Sequence, residues 1–148
     1  MDLEELIARE SIRDLVARYN GNGDSGRLDQ LLELFAEDAV MQVEDGDPHV
    51  GRAGIRRFFD SPVTGFKDVS GPVLVRHSVT THVIDVTGPD TAKGRAYYTV
   101  FLADGPDHWG RYVDEYKRVE GTWQFAKRKV STDGRTPGGW ADRRRDIR

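Results

Sequence analysis

Upstream of residue 75 the apolar residues of this chain recur at helical spacing; downstream, as far as Val130, they alternate. A helix repeats every 3.6 residues and a strand every two, so one chain holds an α-part followed by a β-part. In the first part Leu3, Leu6, Ile7, Ile12, Leu15, Val16 and Tyr19 predict an amphipathic helix over the first twenty residues. Asn20 to Gly26 reads as a glycine-rich break, and Leu28, Leu31, Leu32 and Phe35 predict a second helix. Val40 to Val43 is a short strand, Glu44 to Pro48 a turn, and Ile55, Phe58 and Phe59 mark a third short helix. Ser61 to Pro72 reads as a loop.

In the second part Val75, His77, Val79, Thr81 and Val83 fall on one strand face, with Arg76, Ser78, Thr80 and His82 on the other. Ala92 to Ala103 follows, with Ala96, Tyr98, Val100 and Leu102 on one face. Trp109 to Val119 and Thr122 to Val130, joined by a tight turn at Glu120-Gly121, complete a four-strand meander. Helices first and a meander second predict an α+β fold. Such a meander, twisted into a curved, mainly antiparallel sheet with the N-terminal helices packed over its concave face, would leave a cone-shaped cavity. That cavity suits a small ligand. Residues 132–148 predict a flexible C-terminal tail after one domain spanning 1–131.

At 148 residues one domain with a real core is expected. No apolar run is long enough to span a bilayer, so no membrane partner is expected. The acidic start, MDLEELIARE, resembles no signal or transit peptide, and a chain without cysteine has neither disulfides nor thiol catalysis; a cytoplasmic location is expected. A net charge of -3 argues against nucleic acid as partner. Arg76, Ser78, Thr80, His82, Lys93, Arg95, Tyr97 and Phe101 form a mixed polar and aromatic outer face that suits a homodimer interface.

His77 is the strongest chemical candidate, because alternation sets an imidazole on an apolar face where it must find partners. It reads either as a general acid–base or as a satisfied core histidine. Asp24, in GNGDSGRL, is either its carboxylate partner or a turn or cap residue. Arg128 shares a parity with Ala126 and Val130, opposite Trp123 and Phe125; inside, it would bind an anion, and at an edge it would form a salt bridge. Tyr19, Tyr98, Tyr112 and Trp109, with Phe58, are candidate ligand-lining residues or plain core. The string Gly21-x-Gly23-x-x-Gly26 lacks the βαβ context of a dinucleotide fingerprint. His77 and His82, five apart, fall on opposite strand faces, and His49 and His108 lie in loops; no metal site and no cofactor are expected.

The segment IRDLVARYNGNGDSGRLDQLLELFAEDAV, the run Gly51-Arg52-Ala53-Gly54-Ile55, the His77 strand and GRYVDEYKRVEGTWQFAKRKV together resemble the SnoaL-like group of the nuclear-transport-factor-2-like superfamily. That resemblance, over residues 5–131, implies a curved sheet with helices closing a cone, and a dimer. It covers polyketide cyclases, scytalone dehydratase, a hexachlorocyclohexane dehydrochlorinase, steroid isomerases and dioxygenase β subunits. It places the catalytic Asp–His pair of the dehydratase and dehydrochlorinase on Asp24 and His77, and the dehydrochlorinase's arginine on Arg128. Tyr19 stands where the dehydrochlorinase has a lysine, and the Ala92–Ala103 strand lacks the dehydratase's second histidine. The implied function is a cofactor-free lyase or isomerase (dehydration, cyclisation or double-bond migration) acting on a small, largely apolar molecule. The alternatives are a non-catalytic binding protein and a structural subunit like the dioxygenase β chains.

Overall fold

The computed structural model describes residues 1–61 and 74–144; the predicted 61–72 loop lies almost wholly outside them, as do the last four residues. Helix α1 runs from Leu3 to Asp24. Asp2 caps it, accepting from the Glu5 amide at 2.8 Å, and Glu4 and Glu5 complement the positive end of the helix dipole. The helix does not stop at Asn20 as the glycines suggested. Each glycine costs about 1 kcal/mol relative to alanine, but the buried stripe of Ala8, Ile12, Leu15, Val16, Tyr19 and Asn20 holds the helix on the sheet. The true stop is Gly26, whose φ of 69° lets its amide reach the Gly23 carbonyl while the Arg27 amide reaches Asn22. Leu3, Leu6 and Ile7 stay exposed at the other end.

The second helix is shorter than its periodicity suggested. α2 covers only Leu28–Glu33, and Phe35 opens strand β1 (Phe35–Val43), where it pairs in parallel with Phe125. Strand β2 (His49–Val50) and helix α3 (Gly51–Asp60) follow, so His49 is in a strand rather than a loop. The meander is β3 (Arg76–Gly88), β4 (Thr91–Leu102), β5 (Gly105–Val119) and β6 (Thr122–Arg135). The six-stranded sheet has the order β2-β1-β6-β5-β4-β3 and is antiparallel except between β1 and β6. Strand β6 outruns its predicted end by pairing Arg135 with His108, so 132–135 are strand rather than tail. A short helix, α4 (Trp140–Arg143), then docks by its amides on Asp107.

Bulges reset which residues face inward. Between Thr80↔Tyr97 and Val83↔Arg95 two residues oppose one, and Thr81 takes a left-handed φ of 51°. Beyond it the inner face passes from His77 and Val79 to His82 and Ile84, leaving Val83 exposed. His77 and His82 therefore share a face, contrary to simple alternation. A bulge at Ala126, between Glu115↔Lys127 and Tyr116↔Phe125, likewise puts Arg128 on the face of Trp123 and Phe125 rather than opposite them. The core lies between this inner face and α1, with Ile12, Leu31, Phe35, Ile84, Tyr116 and Phe125 nearly or wholly buried.

Candidate functional site

Asp24 is the last residue of α1 and His77 the second of β3; the helix packed on the sheet brings them together across 53 positions of chain. Both carboxylate oxygens are engaged by His77. Oδ1 lies 2.5 Å from the ring Nδ1, and Oδ2 accepts the backbone amide at 2.9 Å. The aspartate side chain is 10% exposed and the imidazole 24%. In the neutral ring this geometry sets the proton on Nδ1, donating to Asp24, and the Nε2 lone pair, which has no hydrogen-bond partner among the described residues, is the acceptor.

The aromatic candidates divide. The Tyr98 ring lies 6.4 Å from His77 and stacks on Tyr112 at 4.7 Å. Tyr112 donates to Asn20 Oδ1 at 3.1 Å, and the buried Asn20 Nδ2 has no partner among the described residues. Tyr98 donates to the Ser131 carbonyl at 3.2 Å. Burial pushes both phenols above the ordinary tyrosine range. Tyr19 is buried in an edge-on contact with Tyr112. Phe58 sits on α3, its ring 4.7 Å from His49 and 5.2 Å from Phe59. Trp109 is a correction: it is 40% exposed on the outer face, its indole lying over Gly134.

Arg128 is wholly buried, yet it is neither an edge residue nor a free cation. Its Nε and Nη2 donate to the two Asp114 oxygens at 2.9 and 2.8 Å, and the third nitrogen, Nη1, has no partner among the described residues. The guanidinium carbon is 4.0 to 4.2 Å from the ring centres of Tyr112, Tyr19 and Phe125. Burial opposes the charge, but the Asp114 carboxylate outweighs it and the net shift is upward. Asp114 also accepts from Tyr116 at 2.8 Å, and the Tyr116 hydroxyl occupies space a Cβ at Gly94 would fill.

Sequence reasoning missed Asp114, Asn20, Asp107, His82 and His108. Asp114 was readable: it shares the parity of Tyr112 and Tyr116, while Arg111, Val113 and Glu115 face out. His108 belongs to that row too, but β5 starts at Gly105, four residues before the predicted start at Trp109. His108 is 2.7 Å from Asp107 through Nδ1, and burial lowers its pKa against the opposing pull of that carboxylate. His82 is lowered by burial as well, with Asp114 opposing. Among the described residues no three His, Cys, Asp or Glu side chains gather into a metal-ligating group, and no helix is long and apolar enough to cross a membrane.

The profile of the SnoaL-like domain matches residues 4–129. The chain belongs to the SnoaL-like family. Among solved structures, a scytalone-dehydratase-like protein from Novosphingobium aromaticivorans is similar at TM-score 0.78 and 22% identity, covering 92% of this chain and 91% of that one. A hexachlorocyclohexane dehydrochlorinase from Novosphingobium barchaimii gives 0.77 at 22% identity, over 92% and 93%. A protein from N. aromaticivorans described as a candidate aromatic ring hydroxylase gives 0.69 at 31% identity, over 85% and 89%. These share the nuclear-transport-factor-2-like fold. No curated protein sequence matches the chain.

Proposed function

We propose that this SnoaL-like chain is a cofactor-free lyase or isomerase that moves a proton on a small, largely apolar molecule held between α1 and the concave sheet face. The observation that carries the reading is the Asp24–His77 contact, which engages Nδ1 and leaves Nε2 without a hydrogen-bond partner among the described residues. His77 Nε2 takes a proton from a carbon beside an electron-withdrawing group. The electron pair of that C–H bond moves into the ligand, where it expels a leaving group, closes a ring or shifts a double bond. Asp24 fixes the tautomer and stabilises the imidazolium that forms. Arg128, largely neutralised by Asp114, offers a developing oxyanion only Nη1, which gives it a lesser part than His77. Tyr19, Tyr98, Tyr112 and Phe58 supply the apolar lining.

A surrogate tests this without the natural substrate. In 5-nitro-1,2-benzisoxazole, removal of the C3 proton breaks the N–O bond and releases a coloured phenolate. Turnover should be saturable, exceed that of free imidazole, and fall roughly 10²–10⁴-fold in His77→Ala. A wild-type rate no greater than free imidazole would contradict catalysis and favour a binding protein. A second reading, a structural partner of a ring-hydroxylating oxygenase, draws on the relative at 31% identity described as an aromatic ring hydroxylase. Co-purification with an oxygenase large subunit would favour it.

The outer face supports a homodimer. The bulge at Thr81 removes His82 from that face and adds Val83, beside exposed Tyr97, Phe101, Trp109 and Val113.

A further inference from the structure

Tyr98 stands beside two imidazoles. His77 pairs across the sheet with Val100, and Val100 with His108, so the two histidines occupy one rung of β3, β4 and β5 and point to the same face. Their rings lie 6.4 and 6.2 Å from that of Tyr98. Each histidine has its own carboxylate on Nδ1: Asp24 at 2.5 Å for His77 and Asp107 at 2.7 Å for His108.

Asp107 is held firmly. It is the extra residue of a bulge between Val100↔His108 and Phe101↔Pro106, and it is 4% exposed. Besides His108 it accepts the amides of Trp140 at 2.6 Å and Ala141 at 3.1 Å, and the Trp140 ring stacks on His108 at 6.2 Å. The groups facing His108 are thus His77 from β3, Tyr98 from β4, Asp107 from β5, Arg135 paired opposite it on β6, and Trp140 from α4. Burial opposes a charge on this ring, Asp107 favours it, and His77 and Arg135 add to the opposition, so the net shift is toward the neutral form. The neutral form, with Nδ1–H on Asp107, presents Nε2 as an acceptor.

We infer that His108 is a second proton-transfer residue of this site, positioned by Asp107 and, through Asp107, by the docked C-terminal segment. The inference rests on the proton-transfer reading of His77. The step is simple: a C–H or O–H bond of the ligand breaks, its proton forms an N–H bond at His108 Nε2, and the electron pair stays on the ligand until a proton returns. Two imidazoles flanking one tyrosine can serve two positions of a single ligand, so that one takes a proton where the other returns one.

The test uses the benzisoxazole probe with His77→Ala, His108→Gln and the double variant. His77→Ala should retain a residual enzymatic rate that persists to lower pH than an ordinary imidazole base allows. Adding His108→Gln should remove it, a further loss on the order of 10²-fold. A residual rate in His77→Ala that His108→Gln leaves unchanged would overturn the inference while the role of His77 stands; a wild-type protein with no rate would instead overturn the parent reading. Asp107→Asn, as a positioning change, should move the acid limb of the residual rate to still lower pH, because it removes the carboxylate that favours the imidazolium. If His108→Gln fails to fold, ¹⁵N NMR of the wild-type ring decides: an Nδ1–H tautomer supports the assignment, and an Nε2–H tautomer contradicts it.

Discussion

Asp114 binds Arg128 through two hydrogen bonds, of 2.9 and 2.8 Å, with both side chains at most 1% exposed. This pair anchors the centre of the inner face, on the rung that joins Gly94, Asp114, Arg128 and Met41. Removing one partner strands the other as a buried charge. Arg128→Met is therefore expected to destabilise the fold by about 3–5 kcal/mol, and Arg128→Met with Asp114→Leu to recover much of that loss. Urea denaturation of the two variants checks the ordering. A double variant less stable than the single one would show that the pair contributes more than mutual neutralisation.

The strain at Thr81 makes a second prediction. A β-branched residue at φ 51° bears a left-handed penalty of about 1–2 kcal/mol that glycine does not. Thr81→Gly should leave stability unchanged or raise it by up to about 1 kcal/mol. Deleting Thr81 should remove the bulge and set His82 directly opposite Ala96, keeping His82 on the inner face and Val83 on the outer one, so that the fold survives with only a modest change in stability. Thermal melts of both proteins distinguish the outcomes.

These bulges mark the limit of what was legible in the sequence. The four meander strands, the three early helices and the Asp24–His77 candidates all followed from period and resemblance. Alternation carries a residue's facing only as far as the next irregularity. One extra residue at Thr81 and another at Ala126 reversed the placements of His82 and of Arg128 relative to Phe125. A threonine and an alanine carry no bulge signature, since glycine is what usually marks one. The extension of α1 through Gly21 and Gly23 was illegible for the same kind of reason: tertiary packing overrode local propensity.

Acid sensitivity follows from His82 and His108. Burial lowers both below their ordinary value of 6.5, so the unfolded chain binds more protons than the native one in the window just below that value. Stability should fall as pH drops from 6.5 through the native pKa values. His82→Gln should flatten that slope, as read from urea midpoints at pH 7.5 and 5.0. An equal slope in the variant would mean that His82 is not desolvated.

The outer face predicts assembly. Light scattering at tens of micromolar should give a dimer mass, and Tyr97→Glu with Val113→Glu should give a folded monomer. A wild-type monomer would contradict the dimer proposal.

The central claim is that Asp24 acts through His77. The most direct measurement is the probe rate of Asp24→Asn, His77→Ala and the double variant. Residues that act as one unit are strongly non-additive. Asp24→Asn should lose nearly as much as His77→Ala, roughly 10²–10⁴-fold, and the double variant should be no slower than the slower single variant. Losses that multiply in the double variant would contradict the account, because two independent residues would then be contributing separately.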